Sequence, residues 1–419
     1  MAGLWTRRAA GLAALGALGG AAVSARAAGD PMSGAALYAD VVRYDGFGEH
    51  RTGTPGDLAA SDWLTREMTA AGYRTETLPF AQPVFELEAA EVRLGGRALE
   101  AFPLWTPQAG AAAGPLSLQA RPGVIALISF PTGVGAALDV SAVWRKPVQA
   151  AIDAGAVGVV AVTENPLGEL AAFNVPHDAP AWPVPVLAVA GREGPALAAA
   201  AQAGASVQLA LTGAMRAGSS GDLIATRPGP GKPLVISTPK SGWFHCAGER
   251  GSGVAIWLGL ARHLAAQDRN LMFMAASGHE FDGYGGHQFA GHRAPSPAEA
   301  RGWVHIGANV AAYDFGLEDG RIVRRPTPQA GRRLAVSESL LPAAKAAFAG
   351  QPSYERPVDI DVEGAGGEIA EYQRRGYRPL VGMLGLHPLH HTRRDRPDVT
   401  GPELLEPVAR GLAALIAAL

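Results

Sequence analysis

Imidazoles and carboxylates gather at four places where a strand reads as ending or a helix as beginning: Pro239 to Arg250, Ser277-Gly-His-Glu-Phe-Asp282, Ala308-Asn309, and His387-Pro-Leu-His-His-Thr-Arg-Arg-Asp395. His279-Glu280 directly follows the apolar run Leu271 to Ala276, which sets a base beside a carboxylate. His390-His391 falls in a loop ahead of the last helical segment. Side chains of these types, brought together from several strand ends, can hold Zn²⁺ and leave one position open for water.

The elements that must position them alternate. Leu234 to Thr238, Leu271 to Ala276 and Val304 to Val310 read as strands, and Gly253 to Ala266 and Tyr284 to His292 as helices. Such alternation predicts an α/β fold, a mostly parallel sheet sandwiched by helices, with functional groups at the strand ends. Ahead of it, Gly34 to Tyr44 and Leu58 to Ala71 carry helical spacing, with Asp57 placed to cap the second helix and Gly72 to close it. The strand Thr75 to Phe80 follows. The end of the chain, Leu405 to Leu419, reads as an amphipathic surface helix.

Between about Phe85 and Thr212 the texture changes to short Val/Leu/Ala segments broken by Gly and Pro, with few charges and no cluster of His, Asp and Glu. This block reads as a smaller inserted domain without chemistry of its own. Residues 85–213 are therefore set apart from the main domain, which takes residues 29–84 and 214–419.

With 48% hydrophobic residues in 419, the chain can bury a sizeable core. A formal net charge of -2 offers no field for nucleic acid or an anionic membrane. Residues 1–28 hold Thr6-Arg7-Arg8, an apolar stretch and Ala25-Arg26-Ala27, the pattern of a twin-arginine-like export signal, and an exported protein is expected. Past it, no run is long and apolar enough to span a bilayer. The single cysteine, Cys246, excludes an internal disulfide and reads as a small buried side chain.

The chain resembles the zinc-dependent aminopeptidase superfamily that includes glutamate carboxypeptidase and glutaminyl cyclase, with a protease-associated domain inserted. The resemblance rests on Arg51-Thr-Gly-Thr-Pro-Gly56 with Trp63-Leu64, Ala154-Gly-Ala-Val-Gly-Val-Val160 with Pro183-Val-Pro-Val-Leu187, Ser252-Gly-Val-Ala255, Gly278-His-Glu280, and His391-Thr392 with Asp395. That family holds two zinc ions with a His-x-Asp, a bridging Asp, a Glu-Glu pair, a later Asp and a late His. Here the matching positions carry Pro239-Lys240-Ser241, Glu249, His279-Glu280, Asn309 and His391.

Only Glu280 and His391 keep the residue type, so the resemblance implies at most one Zn²⁺, on Glu249, Glu280 and His391. It further implies His279 as the base and Arg250 or Lys240 as oxyanion partner. Trp243, Phe244, Lys240, Ser241 and Asn309 would contact substrate. Arg250 is also a ready ion-pair partner for its neighbour Glu249. His387 and His390 read as packing or surface residues, and Ser241, without a nucleophile-elbow pattern, as a turn residue. Two functions follow: an exported hydrolase of peptide or small amide bonds, or an inactive pseudo-peptidase that binds a peptide or other ligand. Convergence of Glu249, Glu280 and His391 favours the first, and Glu249 paired with an arginine the second.

Overall fold

The strand Leu234–Pro239 is buried at every position and lies inside an eight-stranded sheet in the computed structural model, which describes residues 29–105, 107–131 and 141–419. The expected export signal lies outside the described residues. In order across the sheet run Arg74–Ala81, Ser219–Arg227, Leu271–Ala276, Leu234–Pro239, Gly302–Ile306, Leu380–Leu384, Arg333–Val336 and Val358–Asp359. The inner four strands are mutually parallel, while antiparallel neighbours flank them. Their continuous apolar runs are what a strand covered on both faces requires.

Alternation along the central strand explains both layers. Leu234 and Ile236 face the helices Gly34–Asp45, Pro55–Ala70, Ser252–Leu264 and Pro402–Ala417, whose Leu37, Leu64, Leu260 and Leu412 join the same core. Val235 faces the other layer, with Phe289 of Tyr284–His292 and Tyr372 of Ile369–Arg374. The second helix is capped one turn earlier than the sequence suggested: Thr54 is its N-cap and Asp57 lies inside its first turn, fully buried. Its carboxylate is drawn instead to Lys240, 2.9 Å away.

Strands between Val84 and Arg216 close into a separate seven-stranded barrel. Its first and last strands, Val84–Leu94 and Ser206–Arg216, pair along their length, so the chain leaves and rejoins the main sheet at one place. Barrel packing is not confined to barrel residues. Trp243, Phe244 and Phe281, from the main domain, are buried in the barrel's own core beside Phe102 and Trp105. No helix among the described residues is long and apolar enough to cross a membrane.

Candidate functional site

Past the strand Leu234–Pro239 the chain turns through Cys246, which takes a left-handed conformation (φ 52°), into a wide turn over Ala247–Gly251 that opens the helix Ser252–Leu264. The backbone amides of Gly248 and Glu249 donate to Asp395 Oδ1 and Oδ2 at 2.6 and 2.9 Å. A side chain at Gly248 would lie 2.3 Å from Val399 Cγ2, so this close approach needs glycine. The clamp fixes where the Glu249 carboxylate points.

That carboxylate is fully buried and meets three cationic or basic groups. Arg250 Nη2 lies 2.7 Å from Oε1, and His391 Nε2 lies 3.3 Å from the same oxygen. His390 Nδ1 lies 3.6 Å from Oε2. Burial alone would push Glu249 up; His390, Arg250 and His391 outweigh it and hold the carboxyl well below the usual range. Asp395, beneath the turn, goes the other way: burial, then the Glu249 charge, raise it to about 8.

The histidines are oriented by neighbours. His391 Nδ1 donates to the carbonyl of Ala172, in the barrel, at 3.0 Å, so its Nε2 turns toward Glu249. Asn309 donates through Nδ2 to Gly385 O at 3.2 Å and to His390 Nδ1 at 3.1 Å. The two imidazoles stack with centroids 3.9 Å apart. His390 is thus part of the cluster, not the packing or surface residue its sequence context suggested.

Glu280 is not. Its Oε1 accepts from the Thr52 amide and hydroxyl at 2.5 and 2.8 Å, and its Oε2 from Ser241 Oγ at 2.8 Å. A loop from the first helical hairpin has taken up the carboxylate that the resemblance assigned to metal. Among the described residues, the set whose ligand atoms lie mutually within 4.8 Å is Glu249, His390 and His391.

This set does not fit a divalent ion as it stands. An ion on Glu249 would lie ~4 Å from the Arg250 guanidinium, a repulsion of roughly 8 kcal/mol for a double charge at an effective dielectric of about 20. That is more than half of the ~10–16 kcal/mol a complete structural zinc site supplies. The Asn309 amide also occupies the His390 Nδ1 lone pair.

The other expected site residues fall elsewhere. Lys240 is fully buried between Asp57 and Ser277, and the carboxyl of Asp57 is held low despite burial because Lys240, Ser220 and Ser277 all favour its charge. Ser241 is buried on Glu280, and Trp243 and Phe244 fill the barrel core. Arg250 is spent on Glu249, and Asn309 is buried behind His390. None of these lines the nearby cavity of about 670 Å³.

His279 does line it, with Asn174, Asp282, His305, Glu368 and His390 among its walls. His279 Nδ1 lies 2.7 Å from Glu368 Oε1, and its Nε2 is buried without a hydrogen-bond partner. Sequence reading missed Glu368, His305 and Asn174. Glu368 lies between predicted elements in a Gly-rich stretch with no motif around it, and Asn174 belongs to the block read as carrying no chemistry.

No protein-family model matches the chain, and no curated protein matches it. Solved structures do. An M28 peptidase precursor from Shewanella amazonensis superposes with a TM-score of 0.72 at 18% identity, covering 92% of this chain and 93% of the other. A zinc aminopeptidase from Bacillus subtilis gives 0.69 at 16% identity over 93% and 96%. An aminopeptidase from an Aneurinibacillus species gives 0.62 at 18% identity over 92% and 93%. The fold is that of the zinc exopeptidases, as the resemblance implied, and its α/β class is the one the strand–helix order predicted. At these identities the likeness extends to the fold and not to the chemistry.

Proposed function

We propose that the protein is an exported, ligand-binding member of the exopeptidase fold that takes a small peptide or amide in the cavity at the strand ends and does not run zinc-dependent hydrolysis. One observation carries this: Arg250 lies on Glu249 with both side chains fully buried, so the counter-charge a metal would supply is already in place. Export rests on the residues of the leader. The barrel is taken as a protease-associated insert, on its position within the chain and its Gly-Val-Val strand.

A second reading is favoured by a separate observation. The Ala172 carbonyl turns His391 Nε2 toward Glu249, the orientation a metal-ligating histidine needs. On that reading the chain is a hydrolase with one zinc on Glu249, His390 and His391.

Elemental mass spectrometry of the mature chain from Gly29, with and without added zinc, separates them. Alongside it, calorimetry would titrate dialanine into wild type and an Ala308→Trp variant that fills the cavity. No bound zinc, and dialanine binding lost in the variant, is the expected result. Close to one zinc per chain, with peptide hydrolysis abolished by chelation, would replace the first reading by the second.

A further inference from the structure

Residues 46–54 join the first two helices and bring Thr52 to Glu280. His50 pins this segment to the strand-end loop: its amide donates to Phe244 O at 2.8 Å, and its carbonyl accepts from the Gly242 amide at 3.1 Å. The imidazole lies flat on Tyr44, with ring centroids 3.7 Å apart and planes 8° from parallel. Tyr44 is tied in turn to the same loop, its hydroxyl donating to Lys240 O at 2.8 Å. His50 is fully buried, and neither of its ring nitrogens has a hydrogen-bond partner.

A proton added to this ring would be a buried charge without a counter-ion. Asp57 of the second helix and Asp45 at the end of the first are close enough to favour a charge on it. Both are already engaged, Asp57 by Lys240 at 2.9 Å and Asp45 by Arg396 at 2.9 Å. His245, on the strand-end loop, opposes a positive His50. Burial outweighs the rest and pushes the imidazole down to about 4. An imidazole released to water takes up its proton near pH 6.5. The seated ring is therefore without penalty above pH 6.5, and its hold weakens as pH falls from there toward 4.

We propose that His50 is an acid-sensitive latch: on protonation it leaves its seat on Tyr44, residues 46–54 open locally, and Thr52 lets go of Glu280. This segment is the part that yields because His50 ties it to the strand-end loop by two backbone bonds, whereas the neighbouring strands are paired along their length. Of the three donors to its carboxylate, Glu280 then keeps Ser241 alone.

Hydrogen exchange of the mature chain at pH 7.5 and pH 5, corrected for the intrinsic effect of pH on exchange, reads the latch directly. Protection of residues 48–54 should fall roughly thirtyfold at the lower pH, the ratio set by an imidazole that titrates at about 4 when seated and about 6.5 when free. The strand Leu234–Pro239 should keep its protection. His50→Phe, which keeps a ring on Tyr44 and carries no proton, should protect the segment equally at both pH values. In the wild type, the His50 ring resonances should stay those of a largely neutral imidazole down to pH 5. A seated His50 that charges at or above pH 6, protection that does not change, or an acid response that persists in His50→Phe overturns the latch. Equal loss in segment and strand also overturns it, because the whole domain would then be opening.

Discussion

Arg250 and Glu249, adjacent in sequence, are also partners in space: Nη2 meets Oε1 at 2.7 Å with neither side chain exposed to solvent. Adjacent residues seldom face each other on a regular helix, and here the wide turn Ala247–Gly251 brings them together. The pair sets a buried positive charge beside the carboxylate that the resemblance assigned to metal.

Breaking that pair from one side should be costly. Arg250→Ala leaves an uncompensated buried carboxylate, and a loss of about 3–5 kcal/mol is expected in urea unfolding. The paired replacement Glu249→Leu with Arg250→Met should regain most of it.

Arg250→Asn tests the charge argument directly. With the guanidinium gone and a polar side chain in place, Glu249, His390 and His391 should accept zinc, and bound metal should rise from none toward one per chain. Metal content that stays at zero with the fold intact would show that Asn309 and the histidine geometry, not the arginine, exclude it.

Glu280 should behave as a structural acceptor. Glu280→Gln places an amide N–H₂ among three donors from Thr52 and Ser241 and should cost about 1–3 kcal/mol. Metal content should not change.

Asp222 gives a pH test. Burial, set against the nearby Lys240 charge and the Ser277 amide, raises its carboxyl to about 7, with Asp57 adding to the rise. The folded state therefore holds this proton more tightly than the unfolded state, and the group's contribution weakens as pH climbs from about 4 to about 7. Asp222→Asn should be close to neutral below pH 4. Above pH 7 it should stabilise the protein by an amount on the order of 4 kcal/mol at most.

The sheet and its helices were legible because their apolar periods are long: Leu271–Ala276 and Tyr284–His292 were read with the bounds the structure has. Strand-end loops were legible as a rim: Glu249 and His391 meet in the buried cluster, while His279 lines the cavity. The partners chosen by Glu280, Lys240 and Asn309 were not, since each depends on a residue far off in sequence, such as Thr52, Asp57 or His390. Trp243 and Phe244 looked like pocket walls because large aromatics next to a charged loop do not announce which of two cores will bury them.

The barrel, finally, is stitched to both loops of the site. Ala172 exchanges backbone and side-chain bonds with His391, Val175 donates to Glu280 O, and Asn165 holds Pro388 O. Residues 165–175 stand more than two hundred positions ahead of His387 to Asp395 in sequence, yet they meet them in space. The closing loop of the main domain is therefore seated in part on barrel atoms, so the placing of His391 depends on the insert as well as on the sheet.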